Sequence, residues 1–168
     1  MQRRTLLKLG LGATAVLAVA GGGLALLRPG LEGGRMTASA KVVFKAVARG
    51  VLDGTLPKDE VAREAALEAH LKRLDDTLAA FPRATQSELS QLLALISAAP
   101  GRSTLVGLHT DWEAATAPEI QQALQGMRTS SLAMRQQAYH ALRDLTNAAY
   151  FADPQGWSAL GYPGPLII

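Results

Sequence analysis

The clearest structural pattern in this chain is the run Leu67–Phe81, with the sequence LEAHLKRLDDTLAAF. Its large apolar residues recur at alternating spacings of four and three residues, at Leu67, Leu71, Leu74, Leu78 and Phe81. Residues of opposite charge stand four apart on the other side of the run, at Glu68, Lys72 and Asp76. This pattern predicts an amphipathic helix that buries one face against other helices.

The segments on either side of this run also have helical periodicity. Upstream, a helix beginning near Lys41 is predicted by the apolar residues Val43, Phe44, Val47, Val51 and Leu52, and Asp53-Gly54 ends it with turn chemistry. Downstream, Pro82 ends the central helix. Thr85 and Glu88 have capping-box spacing and predict the start of a third helix, which Pro100-Gly101 closes.

A second capping box, Thr116 with Glu119, predicts a further helix, and Thr129–Ser131 either kinks the chain or caps a fresh helix that runs to Asp153-Pro154. Because no β-alternation is evident, we expect an all-α bundle of about four or five helices. An apolar signal or anchor helix precedes it, and an irregular tail follows. The expected divisions are a leader and linker at 1–35, the bundle at 36–151 and a docking tail at 152–168.

The N-terminus has the layout of an export signal. Arg3, Arg4 and Lys8 give it positive charge, Leu6 and Leu7 begin its apolar character, and Leu9–Leu27 carries no charge. Adjacent arginines ahead of an apolar run are typical of the twin-arginine route. The predicted targeting residues are therefore Arg3, Arg4, Leu6, Leu7 and Lys8, and the twin-arginine translocase is a predicted partner. That route carries proteins that have already folded.

The leader permits either cleavage or retention. Ala18 and Ala20 form a small-x-small cleavage site, whereas the uncharged run continues to Leu27 and, as a helix, would be roughly 28 Å long, close to the thickness of a bilayer core. The positive charges ahead of the run place the N-terminus in the cytoplasm. We therefore expect the body on the periplasmic side of the inner membrane, either cleaved from the leader or anchored by it.

Composition narrows the classes of function. The net charge of +3 arises in the leader, because residues 1–35 hold five of the 17 basic residues and one of the 14 acidic residues. The rest is nearly neutral, so no nucleic-acid partner is expected. The chain has no cysteine, which rules out thiol catalysis, thiolate metal sites and disulfides within it.

Residues suited to catalysis are sparse. The three histidines, His70, His109 and His140, are far apart in sequence and are expected to be surface or half-buried helix residues. Asp75-Asp76 is expected on a solvated face. A metal held by His109 and Asp111 is the enzymatic alternative, but we expect no catalytic, cofactor-binding or metal site in this chain.

The C-terminus is aromatic and uncharged. Half of the aromatic residues fall between Tyr150 and the end of the chain, and no charged residue follows Asp153. Trp and Tyr on a stiff Pro- and Gly-containing segment suit a protein interface, although such a tail can also cap its own core. The predicted partner-binding residues are Tyr150, Phe151, Trp157, Tyr162, Pro163, Gly164 and Pro165.

The chain resembles the small subunit of membrane-associated flavin-dependent dehydrogenases, the gluconate 2-dehydrogenase subunit 3 family. The resemblance lies in the leader, the run Asn147–Pro154, Trp157 and the sequence GYPGP at 161–165. The resemblance covers the leader and about the last 25 residues. It implies a subunit without redox chemistry that escorts a leaderless flavoprotein through the translocase.

This resemblance implies further partners. FAD is expected in the large subunit, a glucose–methanol–choline oxidoreductase, and a multihaem cytochrome c is expected to accept the electrons. The alternative is a free-standing exported or membrane-anchored helical binding protein with no oxidoreductase partner.

Overall fold

A computed structural model describes residues 28–157 and 161–164, so the predicted leader residues, the cleavage site and Pro165 lie outside the described residues. The described part is mostly helical, which confirms the all-α prediction. Its body consists of five helices of 12 to 20 residues: α1 Ala38–Val51, α2 Glu60–Ala79, α3 Arg83–Ser97, α4 Ala117–Arg128 and α5 Ala133–Phe151. Among these residues, no helix combines the length and apolar character needed to cross a membrane.

Helix α1 is the centre of the body, since each of the other four helices packs against it. Its buried residues surround the helix rather than forming a narrow stripe. The small residues Ala40, Ala46, Ala48 and Gly50 let neighbouring helices approach closely, and the larger Val43, Phe44 and Val47 fill the core. A Cβ on Gly50 would lie 2.6 Å from Ile120 of α4, so this crossing requires glycine. The main core is built around α1.

Helix α2 confirms the opening pattern at Leu67, Leu71, Leu74 and Leu78, which are all buried. Phe81, the last residue of the predicted stripe, lies beyond the end of the helix and is half-buried. The helix begins before this stripe, at Glu60, where the Asp59 carboxylate accepts the N–H of Ala62 at 2.8 Å and caps the first turn. Its initial turns are exposed, so the apolar stripe marks only the part of the helix that reaches the core.

The predicted capping box at Thr85 and Glu88 is wrong. Helix α3 begins three residues earlier than this box implies, at Arg83, with Pro82 as its N-cap and the Pro82 carbonyl accepting the N–H of Gln86. The Gln86 side chain turns back and donates to the carbonyls of Leu78, Ala79 and Phe81 at 3.0 to 3.1 Å. It therefore satisfies the end of α2, and the two helices are joined by a tight turn.

The third helix also ends earlier than predicted, at Ser97. Pro100 and Gly101 lie in a helical turn, Ala99–Gly101, which continues into a π-helical turn, Arg102–Val106. Gly107 ends the π turn with a φ of 83°. The guanidinium of Arg135 from α5 donates to the carbonyl of Leu105 at 2.8 Å, which holds this irregular segment against the bundle.

The capping box at Thr116 and Glu119 is confirmed. The Glu119 carboxylate accepts the N–H of Thr116 at 2.8 Å, and the Thr116 hydroxyl accepts the N–H of Glu119 at 3.4 Å. Hydrogen bonds from the Thr116 backbone and hydroxyl, and from the Thr110 hydroxyl, hold the pKa of Glu119 below its usual value. After Thr129–Ser131 a fresh helix, α5, begins, and the Ser130 hydroxyl accepts the N–H of Leu132.

The two threonines make a matched test of capping. We expect Thr116→Ala to lower the free energy of unfolding by about 1 kcal/mol, because the first turn of α4 loses its side-chain cap. Thr85→Ala should have no effect or stabilise slightly, since Thr85 lies inside α3 and alanine is the better helix former. Urea unfolding of both variants measures the difference, and equal losses would contradict this assignment of the caps.

A two-stranded hairpin, not expected from the sequence, precedes α1. Strand β1, Leu31–Glu32, pairs antiparallel with β2, Arg35–Met36, through a turn at Gly33 and Gly34 with φ of 58° and 81°. The side chains of Leu31 and Met36 are buried in the main core. The core therefore extends upstream of residue 36, into the segment expected to be linker.

Asp75 anchors this hairpin, which corrects the expectation that Asp75-Asp76 forms a solvated face. One Asp75 oxygen accepts the N–H of Met36 at 2.6 Å and the other pairs with Arg35 at 3.1 Å, and its side chain is only 14% exposed. Asp76 is exposed and binds the same guanidinium at 2.6 Å. The two carboxylates thus fix β2 to α2.

Candidate docking surface at the C-terminal end

Tyr150, at the end of α5, is part of the protein interior. It is 7% exposed and belongs to a small second core cluster with Ala48, Leu52 and Leu67, against which Phe151 packs half-buried. The Tyr150 hydroxyl donates to the carbonyl of Thr55 at 3.2 Å. This cluster joins α1, α2 and α5 and forms the base on which the following residues rest.

Arg73 of α2 holds the last turn of α5 in place. Its Nε donates to the carbonyl of Ala149 at 3.0 Å, and its Nη1 pairs with the Asp153 carboxylate at 2.8 Å. The carbonyls at a helix C-terminus lack partners within the helix, and a guanidinium there satisfies one of them and complements the helix dipole. The end of α5 is therefore fixed to α2 by a partly buried cation.

We call the described residues 154–157 and 161–164 the C-terminal segment. It begins with a 3-10 turn, Pro154–Gly156, and Trp157 then folds back so that its indole N–H donates to the carbonyl of Phe151 at 2.8 Å. The ring of Tyr162 meets that of Trp157 edge-on with centroids 5.3 Å apart, and the N–H of Tyr162 donates to the Trp157 carbonyl. Aromatic contacts and backbone hydrogen bonds order the segment.

The predicted partner-binding residues divide into two groups. Tyr150 is buried, and Phe151 and Trp157 are half-buried, so these three contribute to the chain's own packing. Tyr162 is 48% exposed and Pro163 is also exposed, while Gly164 lies against the Trp157 ring. Among the predicted partner-binding residues that the structure describes, Tyr162 and Pro163 are therefore the two that are exposed to solvent.

His70 is the clearest correction among the polar residues. Expected at the surface or half-buried, it is 0% exposed, with its ring 6.2 Å from that of Tyr150 at an angle of 61°. Burial, with a smaller contribution from the positive charge of Arg73, lowers the pKa of His70 from 6.5 to about 4. The imidazole is therefore neutral at neutral pH.

The alternative metal site at His109 and Asp111 gains no third ligand in the described part of the chain. No group of three or more His, Cys, Asp or Glu residues suited to a metal ion occurs among the described residues. The Asp111 carboxylate pairs instead with Arg102 at 2.7 Å, while His109 is exposed. His140 is exposed beside Tyr139, as expected.

An open cleft of about 720 Å³ lies between the hairpin and α3. Arg83 is the charged residue in its lining, and the amides of Gln86 and Gln91 and the hydroxyls of Ser87 and Ser90 supply most of the remaining polar groups. None of the residues predicted to bind a partner lines this cleft. The candidate surface therefore lies apart from this cleft.

Comparison with known proteins leaves this surface without a counterpart. No family model, curated protein or solved structure matches the chain. The dehydrogenase small-subunit resemblance therefore rests on the residues of the leader and tail quoted above.

Proposed function

We propose that this chain is a non-catalytic small subunit that binds a leaderless flavoprotein dehydrogenase of the glucose–methanol–choline class and directs its export by the twin-arginine route. The observation that carries the proposal is the exposed ring of Tyr162 on an ordered, uncharged aromatic segment. Rigid Tyr and Trp side chains are enriched among the residues that dominate binding energy at protein interfaces.

Two features of the chain support the binding of a partner protein by this segment. The stretch after Asp153 has no charge to keep its aromatic residues soluble, and the Trp157 indole ties the segment to the end of α5 by its hydrogen bond to the Phe151 carbonyl. The leader residues Arg3 and Arg4 supply an address for a folded body. Together they suit a protein that carries another protein.

The proposed location follows from the leader. The assembled pair would lie on the periplasmic side of the inner membrane, with FAD in the large subunit and a multihaem cytochrome c as electron acceptor. This chain itself would hold no cofactor.

Exposed apolar residues provide a matched test of the docking surface. We expect Tyr162→Ala to reduce the flavoprotein retained by the full-length chain by about tenfold or more, because Tyr162 would act as the interface anchor. Leu132→Ala is the control, since Leu132 is 58% exposed on the body at the start of α5. The measurement is the flavin absorbance that co-purifies with the tagged chain when both proteins are expressed together.

The control separates docking from folding. Because both side chains are largely exposed, neither variant should alter thermal unfolding. Equal flavin retention by the two variants would contradict docking through Tyr162. A chain that purifies alone, stable and without flavoprotein, would favour the free-standing binding protein instead.

A further inference from the structure

Two polar side chains are buried where α2 and α5 pack together. His70 of α2 and Thr146 of α5 are both fully buried, and no described residue offers a hydrogen-bond partner to either ring nitrogen of His70 or to the Thr146 hydroxyl. Buried polar groups nearly always have partners, because leaving them unpaired costs free energy. A histidine in this position is tolerated while neutral and becomes far more costly once charged.

The ring of His70 lies beside the residue on which the C-terminal segment rests. Tyr150, one turn after Thr146 on α5, meets the imidazole edge-on. The Tyr150 ring also packs edge-on against Phe151, whose carbonyl receives the Trp157 indole N–H. Gly156 is packed so closely that a Cβ there would be 3.2 Å from the Tyr150 ring. A movement of Tyr150 would therefore carry the segment with it.

The surroundings of His70 do not favour a positive charge. On its own helix the nearby charge is that of Arg73, which binds Asp153 and the Ala149 carbonyl at the end of α5. From α5 the facing titratable group is Tyr150. From α1 the cluster contributes the apolar Ala48 and Leu52, while Lys45 of α1 pairs with Glu64 and Glu68 of α2. Arg35 of β2 is held by Asp75 and Asp76. A protonated His70 would thus lie among apolar groups and beside another cation.

We propose that His70 is an acid-sensitive lock, whose protonation releases Tyr150 and the C-terminal segment from α2 while the main core stays folded. Opening this end of α5 would bring water to the imidazolium. The main core is a distinct cluster that meets the second one at Val51 and reaches this end of α5 through Ala149, and the rest of it need not open for this to happen. The consequence for a bound flavoprotein, an acid-dependent loss of docking, rests on the proposed function, whereas the release is a property of this chain alone.

The direction of the pH effect follows from the two states of the ring. In the closed state burial holds the pKa of His70 near 4, and in the open state the solvated ring returns towards 6.5. Between these values the open state binds the proton more readily, so the closed state is fully favoured above about pH 6.5 and loses ground as the pH falls towards 4.

The two tryptophans report on the two regions without any added label. Trp157 lies in the C-terminal segment, and Trp112 is buried in the main core with its indole N–H donating to the carbonyl of Ile96 at 2.8 Å. In nitrogen-15 NMR spectra of the full chain in mild detergent, each indole N–H gives its own signal. Lowering the pH from about 7 to about 4 should shift the Trp157 signal before the Trp112 signal changes.

Variants assign the transition to one group. His70→Leu should abolish the Trp157 transition or move its midpoint at least one pH unit lower, and His70→Gln provides the same test if the leucine variant does not fold. His140→Gln, at an exposed histidine, should leave the midpoint unchanged.

Two results would overturn the lock. The first is Trp157 and Trp112 responding together, which would mean global acid unfolding. The second is a wild-type midpoint in both His70 variants, with Asp153→Asn removing the transition instead, which would assign it to the carboxylate. Because no partner is present in this titration, failure of the proposed docking function would leave its outcome unaffected.

Discussion

Gly101→Ala is expected to destabilise the protein by about 3 kcal/mol. A Cβ at this position would lie 2.0 Å from the carbonyl oxygen of Leu95 and 2.7 Å from its carbonyl carbon. Both atoms belong to the backbone near the end of α3, so no side-chain rotation can relieve the clash. The turn Ala99–Gly101 would have to move away from α3 and take the π-helical turn with it. Urea unfolding at neutral pH measures the loss.

Gly126→Ala is the matched control for this prediction. Gly126 lies inside α4, and the nearest atom to a Cβ there is a guanidinium nitrogen of Arg135 at 3.8 Å, an ordinary contact distance. Alanine at an unhindered helical position should stabilise by roughly 0.5–1 kcal/mol, because it reduces the conformational entropy of the unfolded chain. Effects of the same sign in the two variants would contradict the packing described around Gly101.

The helices were predictable where their apolar stripes are long. Helix α2 presents Leu67, Leu71, Leu74 and Leu78 to the core, as the spacing alone indicates. The same spacing indicates that His70 is buried, because it is three residues after Leu67 and four before Leu74. A polar residue at such a position faces the core with its apolar neighbours, so its burial could have been inferred from the periodicity.

Helix ends were predictable only where the capping residue and the preceding backbone agree. At Thr116 the chain enters the helix in an extended conformation and the threonine can cap it. At Thr85 the same spacing misleads, because Pro82, with its fixed φ, already provides the extended residue at which α3 begins. Whether the proline or the threonine marks the start of α3 depends on the turn between α2 and α3. This turn is closed by the Gln86 side chain, which donates to the carbonyl of Leu78 near the end of α2.

The hairpin could be predicted only weakly from local sequence. Its strands have two residues each, too few for alternation to be recognised, and the one local signal is the Gly33-Gly34 pair. Its position depends on Asp75, about forty residues later, which binds Met36 and Arg35. Such long-range contacts are decided by how the helices pack.

The candidate surface was predictable in composition but not in orientation. The sequence identifies an aromatic, uncharged C-terminus, and both docking and self-capping are compatible with it. In the structure, Tyr150 packs into the second core cluster and Tyr162 remains partly exposed. The sequence places these aromatic residues in one group, but Tyr150 stabilises the fold and only exposed residues such as Tyr162 are available to a partner.

Replacing Arg3 and Arg4 together with lysine tests the escort function most directly. If this chain is an escort, its twin arginines determine the export of a second protein, the flavoprotein. The measurement is dehydrogenase activity in periplasmic and cytoplasmic fractions of cells that make this chain and the leaderless flavoprotein. Arg28→Lys, outside the twin-arginine pair, is the control, and co-purification from the cytoplasm checks that the complex still forms. We predict that periplasmic activity falls by at least about tenfold with the paired lysines, as expected if the translocase reads the pair, and is unchanged with Arg28→Lys. Dehydrogenase activity that still reaches the periplasm in the paired variant would contradict the escort function.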